Sequence, residues 1–475
     1  MAGIISFGVH VPVHRLSRAV IGQSWESRGL PGERAVASYD EDSLTMAVAA
    51  ARNCLKHFAS KQVGGVYFAT TTAPYLEKQN AALIAAALAL PEATQTLDFS
   101  NSLRAGTSAV SAAINAINSG AAETVLVCVA DMRLFAPKSH YEMFSGDGAV
   151  AFLLGKEDLI AEVEWFDSYT DEIQDMWRIE GERYIRNAEE RFVQDYGYAR
   201  VMRNAVGKSL KKHGAVGEKF VRFCGNFADP KAIGRIAAKF GFNPETQVDG
   251  ALNQSVGDTG AAMALMNAAL ALECAAPGQS IFVAAYGNGC DLMSIRATEK
   301  IAGFPFHRRI GDQISQKIMM SSYSKYLIWR DLINVAQTPR PPLVERQPTP
   351  PAQWREVKGE LVLNGTRCQQ CGTPQYPPQR VCMICKTKDK MDLYNFSRVP
   401  AKVATFSNDY IMETLDSPVT TTVVDFEGGG RLICDMTDRK LDEIVVGMDV
   451  EMTFRKLYTV GGIHNYWWKC TPVRK

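Results

Sequence analysis

The stretch Ala105-Gly-Thr-Ser-Ala-Val-Ser-Ala-Ala-Ile-Asn-Ala-Ile-Asn118, followed by the apolar run Thr124-Val-Leu-Val-Cys-Val-Ala130, decides how most of this chain is built. Ala105-Gly106-Thr107 opens a helix that runs to about Asn118 and precedes a strand. The same order recurs downstream. Gly257-Asp258-Thr259 opens a helix running to about Cys274, and the strand Ile281 to Ala285 follows. Upstream of each helix, Val66-Tyr-Phe-Ala69 leads through a loop into the Ala-rich helix Asn80 to Leu90, and Val221-Arg-Phe-Cys224 leads into a helix from about Lys231 to Phe240. Each half then returns on a strand, Ala149 to Leu154 and Leu292 to Ala297. Strands rich in Val, Ile and Phe that alternate with Ala-rich helices argue for a largely parallel sheet covered on both faces. The repeat, with small residues letting the central helices pack closely, predicts two back-to-back sheets. This duplicated α/β body begins at the strand Gly3 to Val11 and ends near Asn334.

With 475 residues the chain is too long for one ordinary domain. A formal charge of +1 offers no polyanion-binding surface, so no nucleic-acid partner is expected. The sequence contains no run of about 18 apolar residues and no basic-then-apolar leader, so no membrane partner and a cytoplasmic location are expected. Eleven cysteines, paired in spacing only in the last third, suit metal better than disulfides.

Gln337 to Trp354 holds six prolines and is expected to be an extended tether. Beyond it, Cys368-Gln-Gln-Cys371 and Cys382-Met-Ile-Cys385 form two CxxC pairs. Each pair turns two thiolates to one side of a tight knuckle, and two knuckles close a tetrahedral Zn²⁺ site with no open position. The role is therefore structural, with binding energy on the order of 10 kcal/mol holding a segment with little core. Short alternating strands follow at Ala401–Asn408, Thr420–Asp425, Gly430–Asp435, Asp449–Arg455 and Asn465–Thr471, the pattern of a small β-barrel. The expected division is 1–160 and 161–335 for the two halves of the body, 336–356 for a Pro-rich linker, 357–396 for a zinc ribbon and 397–475 for the barrel.

Gly3 to Pro12, Tyr39-Asp-Glu-Asp-Ser-Leu-Thr-Met-Ala-Val-Ala-Ala-Ala-Arg52, Gly146-Asp-Gly-Ala-Val-Ala-Phe-Leu-Leu-Gly155 and Tyr286-Gly-Asn-Gly289 together resemble the HMG-CoA synthase branch of the thiolase superfamily. From Gly365 onward, Arg367-Cys-Gln-Gln-Cys-Gly372 and Tyr376-Pro-Pro-Gln-Arg380 resemble the zinc-ribbon plus OB-fold domain that accompanies thiolases. The resemblance implies a duplicated five-layer αβαβα thiolase fold, a rubredoxin-like zinc ribbon and an OB-fold barrel. It also implies a coenzyme A thioester as substrate, and a homodimer or a hetero-oligomer with another thiolase-type chain.

The resemblance places a nucleophilic cysteine just before Ala-Gly-Thr, where Asn101-Ser-Leu-Arg-Ala-Gly-Thr107 supplies Leu103. Thr71 stands in for the family glutamate, Asn226 for the histidine and Asp258 for an asparagine. The expected function is acyl-CoA-dependent carbon–carbon bond formation or cleavage of aldolase or retro-aldolase type, without the usual cysteine acyl-enzyme. Asp258 is the candidate base, with Asn226, Tyr75 and the Tyr286–Gly289 backbone beside it. The alternative is a degenerate thiolase-like subunit that binds CoA and completes a complex with an active chain, in the manner of a benzoylsuccinyl-CoA thiolase. Gly287 and Gly289 are candidates to hold the thioester oxygen or are plain turn glycines. Arg104 either meets a CoA phosphate or caps its helix, and Asp258 reads equally well as an N-cap. Cys290 is weighed as a substitute nucleophile against a small residue in a tight loop. Tyr466, Trp467 and Trp468 read as core packing rather than a base-stacking platform.

Overall fold

The computed structural model describes residues 2–226, 230–248, 250–336 and 349–474, and the chain divides into two compact units. The first covers most of the chain up to Tyr323; the second is Ser324–Lys475 with the short segments Ser38–Glu41 and Ala86–Ala89. Among the described residues no helix is long and apolar enough to cross a membrane.

The strands of the first unit are β1 (Gly3–His10), β2 (Gly65–Ala69), β3 (Gln95–Phe99), β4 (Val125–Asp131), β5 (Gly148–Gly155), β6 (Ala161–Thr170), β7 (Phe220–Gly225), β8 (Ser280–Tyr286) and β9 (Gly289–Ala297). They lie in the order β7-β8-β9-β6-β1-β5-β4-β2-β3. The two halves join through the short pairing of Gly3 with Glu162 and Ile4 with Ala161, so the hydrogen bonding is continuous across the repeat rather than split into separate sheets. Only β2 with β3, β2 with β4, and β7 with β8 run parallel; the remaining pairs are antiparallel. The largely parallel expectation is corrected here. In each half the returning strand doubles back beside its predecessor, and Gly287-Asn288 links β8 to β9 so tightly that only an antiparallel pair can form.

Helix α1 (Ser43–Cys54) covers β1, β4 and β5 on one face. Helices α2 (Ala105–Ser119) and α5 (Met263–Cys274) share one core with inward side chains of both halves, among them Val127, Val129, Val283 and Ile295. Helices α3 (Arg200–Lys212) and α4 (Pro230–Ala238) close the far face of β7, β8 and β9. Strand β8 shows why the central layer is possible. Ile281, Val283 and Ala285 enter the middle core while Phe282, Ala284 and Tyr286 enter the outer one, the period of two that lets one strand bury both faces. Close approach at the centre demands small residues: a Cβ on Gly106 would lie 2.9 Å from the Ala261 carbonyl.

In the second unit α6 (Pro350–Glu360) is a helix where a tether was expected to reach Trp354. Its prolines occupy the first turn, whose amides have no helical partner anyway, so they start the helix rather than forbid it. The rest of the expected linker, 337–348, lies outside the described residues. Strands β10 (Asn364–Cys368), β11 (Pro374–Gln375) and β12 (Met391–Asn395) form a small sheet in the order β11-β10-β12. Strands β13 (Ala401–Asp409), β14 (Val419–Phe426), β15 (Arg431–Asp435), β16 (Asp449–Val460) and β17 (Ile463–Pro472) form an antiparallel sheet in the order β15-β14-β13-β16-β17. A bridge between Met436 and Cys470 brings its two edges together. Trp468 is fully buried against Phe454, and Tyr466 stacks on the same ring at 5.6 Å, so these two pack the interior while Trp467 between them is half-buried. Within this unit Arg455 is buried among Asp438 (2.5 Å), Glu41 (3.0 Å) and Asp40 (3.2 Å).

Candidate active site and metal centre

The ends of β4, β7 and β8 and the segments preceding α2 and α5 converge on a pocket of about 410 Å³, open mouth included. Leu103, Arg133, Tyr141, Asp175, Asn226, Asp258 and Tyr286 line it. Leu103, Arg133, Asn226 and Asp258 sit just outside regular elements, while Tyr286 ends β8 and Tyr141 lies in the short helix His140–Phe144.

Leu103 presents its isobutyl group to the pocket at the entry to α2. The backbone opposite comes close enough that a Cβ on Gly287 would lie 3.0 Å from the Leu103 Cβ. Gly287 gives its amide to the Gly289 carbonyl at 3.0 Å. Gly289 sits at φ +118°, and a side chain there would strike the Tyr169 carbonyl. Both glycines thus have a turn role that needs no ligand. Arg104 donates through Nε to the Gly287 carbonyl (2.6 Å) and through Nη2 to the Asn288 carbonyl (3.1 Å), and its Nη1 meets Asp291 (2.9 Å). Its guanidinium clamps the β8–β9 turn to the start of α2.

Asp258 accepts the Gly260 amide at 3.0 Å through Oδ1, the cap-like bond foreseen for it, and still faces the pocket. Burial raises its pKa, opposed by the Arg133 charge and the Gly260 amide and reinforced by Asp131. Asp131 is a hub: it accepts the hydroxyls of Thr70 (2.9 Å), Thr71 (3.0 Å) and Thr72 (3.1 Å), and the Ala261 amide (2.8 Å). Thr71 is therefore spent on fixing the loop after β2. Asn226 donates to the Tyr286 carbonyl (2.9 Å) and accepts the Tyr286 amide (2.6 Å), so it holds the end of β8 in place. Tyr286 in turn donates its phenol proton to Asp175, and burial with that neighbouring charge pushes the phenol far above the usual tyrosine range.

Of the candidates read from sequence, the fold brings Leu103, Asn226 and Asp258 together at the pocket. It leaves Tyr75 outside: Tyr75 binds Asn80 through its amide at 3.2 Å, its ring lies under Lys78, and it lines no part of the cavity. Sequence reasoning missed the side chains of Arg133, Tyr141, Asp175 and Tyr286. Tyr286 stood within a quoted motif, but only its backbone was given a role. Cys290 lies in the outer core with its Sγ 3.4 Å from Met202 Sδ, and burial raises its thiol well above the ordinary range. Among the described residues no cysteine lines the pocket.

The second chemical centre is local. Cys368, Cys371, Cys382 and Cys385 place their Sγ atoms within 4.8 Å of one another, with pairs at 3.5 and 3.6 Å. Tetrahedral Zn²⁺ with its usual sulfur distance sets its ligands about 3.8 Å apart, so the site fits zinc closely. The two knuckles are copies of one turn. Gly372 and Lys386, both at positive φ, donate to the carbonyls of Cys368 (2.9 Å) and Cys382 (3.0 Å). Thr373 and Thr387 place hydroxyls 3.1 and 3.2 Å from the sulfurs of Cys371 and Cys385. The Thr373 hydroxyl leads the groups that push the Cys371 thiol down to about 6, toward the thiolate a metal requires. The signal was present in sequence as a repeated Cys-x-x-Cys-x-Thr, of which only the cysteines were read.

Over 309 residues the chain is 31% identical to the hydroxymethylglutaryl-CoA synthase of Methanocella arvoryzae, a match spanning 63% of this chain and 89% of that relative. The chain belongs to the hydroxymethylglutaryl-CoA synthase family. The corresponding synthase of Methanosphaera stadtmanae is 27% identical over 346 residues and is covered completely. Among solved structures, an HMG-CoA synthase complexed with CoA superposes with a TM-score of 0.61 at 16% identity, covering 67% of this chain and 88% of that one. MvaS in complex with 3-hydroxy-3-methylglutaryl coenzyme A gives 0.62 at 19% identity, covering 72% and 94%. These likenesses establish the thiolase fold of the body. Residues 355–390 match the family described as ChsH2, rubredoxin-like zinc ribbon domain. The four cysteines therefore form a structural zinc site.

Proposed function

We propose that this chain binds an acyl-CoA thioester in the Leu103–Asp258 pocket and makes or breaks a carbon–carbon bond beside the thioester carbonyl without acylating a cysteine. The observation that carries the reading is Leu103 itself: an alkyl group faces the pocket at the position where the family resemblance calls for the nucleophilic thiol. The relatives are named as condensing enzymes of HMG-CoA, and one structural neighbour is complexed with CoA, which supports a CoA thioester as ligand.

In the cleavage direction Asp258 takes the proton of a β-hydroxyl group. The bond between the α- and β-carbons breaks, its electron pair becomes the enolate of the shortened acyl-CoA, and the β-carbon leaves as a carbonyl. Asp258 then returns the proton to the α-carbon, and condensation is the reverse. Burial makes Asp258 a stronger base than an exposed carboxylate, at the expense of needing a higher pH to ionise. Asn226 and Asp175 are positioning residues that fix Tyr286 in the wall.

The test is turnover of β-hydroxyacyl-CoA substrates, followed by chromatography of the CoA products and by intact-protein mass spectrometry. Wild type should release a shorter acyl-CoA, and Asp258→Asn should lower kcat by about 10²- to 10⁴-fold. Because the base must be ionised, activity should rise with pH on a limb lying above the ordinary Asp value of about 3.9. A stable acyl adduct mapped to any thiol of the first unit sinks the reading. Turnover that appears only when a second thiolase-type chain is added would assign the chain instead as a degenerate subunit of a complex.

A further inference from the structure

The two zinc knuckles repeat one turn but differ in what they show to solvent. Cys368-Gln-Gln-Cys371-Gly-Thr373 exposes two polar side chains between its cysteines, and Gln369 is bound to Asp392 at 2.8 Å. Cys382-Met-Ile-Cys385-Lys-Thr387 has Met383 63% exposed and Ile384 67% exposed at the same two positions, with Val381 open just before them. The metal requires the sulfurs and the turn, and the first knuckle shows that it does not require apolar residues between them. Two adjacent aliphatic side chains held out in water therefore serve nothing in the zinc site itself.

The tip is presented on a fixed backbone. The Met383 amide donates to Gln375 Oε1 at 2.7 Å, the Cys382 amide to the Thr387 carbonyl at 2.9 Å, and the Lys386 amide to the Cys382 carbonyl at 3.0 Å. Cations flank it. Lys386 Nζ reaches the Met383 carbonyl at 2.8 Å, Lys388 pairs with Val381 across the knuckle, and Lys390 follows, exposed. Among the described residues no carboxylate lies within 4.0 Å of these three ammonium groups, and Asp389 between them is taken by Arg380 at 2.7 Å. Residues 380–390 thus hold four cations and one anion, in a chain whose total formal charge is +1.

An apolar point flanked by positive charge complements a surface that is negative outside and oily beneath. A protein partner of ordinary affinity would bury about 800 Å² on each side, and three apolar side chains on one turn supply only a fraction of that. A bilayer needs no shaped complement: insertion follows the apolar area, and each lysine adds its own attraction to anionic headgroups. We propose that the second knuckle docks the chain on an anionic lipid surface, with Met383 and Ile384 entering the acyl layer while Lys386, Lys388 and Lys390 meet the headgroup phosphates. Such contact is peripheral. The expectation of no membrane partner rests on the lack of a long apolar run, which bears on spanning alone.

The experiment is cosedimentation of the zinc-loaded full chain with vesicles of phosphatidylcholine alone and of equal parts phosphatidylcholine and phosphatidylglycerol. Wild type should partition about tenfold or more strongly onto the anionic vesicles, and rising salt should release it. Met383→Gln with Ile384→Gln copies the first knuckle, so it should keep its zinc by atomic absorption while partitioning falls about tenfold. Lys388→Gln with Lys390→Gln leaves the cysteines and the turn between them in place and should lower binding to the anionic vesicles about tenfold. Equal partitioning of wild type onto both vesicles, or onto neither, overturns the proposal. A Met383→Gln, Ile384→Gln chain that retains zinc and binds like wild type also overturns it, leaving plain charge attraction. Binding to soluble polyglutamate as tight as to the anionic vesicles overturns it too, and assigns the tip to an acidic protein.

Discussion

The zinc ribbon and the pocket of the first unit are both chemical centres, built on opposite plans. In the ribbon every ligand lies between Cys368 and Cys385, and the same turn is used twice. In the pocket Leu103, Arg133, Asp175, Asn226, Asp258 and Tyr286 come from six separate places in the sequence. The ribbon owes its order to one ion, because a segment this small has too little apolar surface to stand alone. The pocket owes its order to the close-packed layers beneath it, such as the contact that forces Gly106 to be glycine. A local site is thus fragile at each ligand, and a dispersed one tolerates the loss of single groups but depends on backbone fit.

The strongest way to break this contrast is at a ligand. Cys382 is fully buried, and Cys382→Ser replaces a soft thiolate with a hydroxyl that Zn²⁺ holds poorly. Zinc should leave, and the loss of binding energy on the order of 10 kcal/mol should unfold the ribbon. Zinc content by atomic absorption should fall to background, and hydrogen exchange over 364–395 should become fast. Normal protection across those residues after chelation would show that the ribbon has a core the structure does not reveal.

Arg455 tests whether a dispersed cluster can be as brittle as a metal site. Its partners come from two distant places in the sequence, the adjacent pair Asp40 and Glu41 and, far downstream, Asp438, and all are buried within the second unit. Arg455→Met leaves three carboxylates without their cation, with an expected loss of about 3–5 kcal/mol. The midpoint of chemical unfolding should fall accordingly, and the combined change of Asp438→Asn with Arg455→Met should recover part of the loss. An unchanged midpoint would mean that Lys469, 2.9 Å from Asp40, already supplies the needed charge.

The same contrast explains what could be read in advance. The four cysteines, the five strands from Ala401 onward and the helix start at Ala105 are local patterns, and each was legible; the second helix begins with a 3₁₀ turn at Gly260 and becomes α5 at Met263, later than the start expected at Gly257. Helix α6 was missed because six prolines were read as a density, whereas two of them sit at the one part of a helix that accepts them. Arg133 and Asp175 carried no local mark; each became visible only when strands distant in sequence set it in a shared wall. Asn226 was read as a pocket group and Arg104 as either a phosphate contact or a helix cap, and sequence spacing could not show that Asn226 bonds the Tyr286 backbone and Arg104 the β8–β9 turn. The Tyr75 position was legible as a loop after a strand, and its direction was not.

The mildest change falls on the backbone fit itself. At Gly287 an added methyl would lie 3.0 Å from the Leu103 Cβ and 3.1 Å from the Leu103 and Arg104 amide nitrogens. Two of these neighbours are main chain at the start of α2, and Arg104 is clamped to the same turn, so little can give way. Gly287→Ala should therefore cost about 1–3 kcal/mol of stability, less than either change above. Its more informative effect is on the pocket, since the turn can relax only by pushing Leu103. Acyl-CoA affinity should fall more than the midpoint of unfolding implies, and Gly303→Ala, where an added Cβ meets nothing within 4 Å and φ, as at Gly287, is not positive, supplies the control for the loss of a glycine alone. If both alanines lower stability equally and neither alters binding, the approach of the β8–β9 turn to Leu103 does not shape the site.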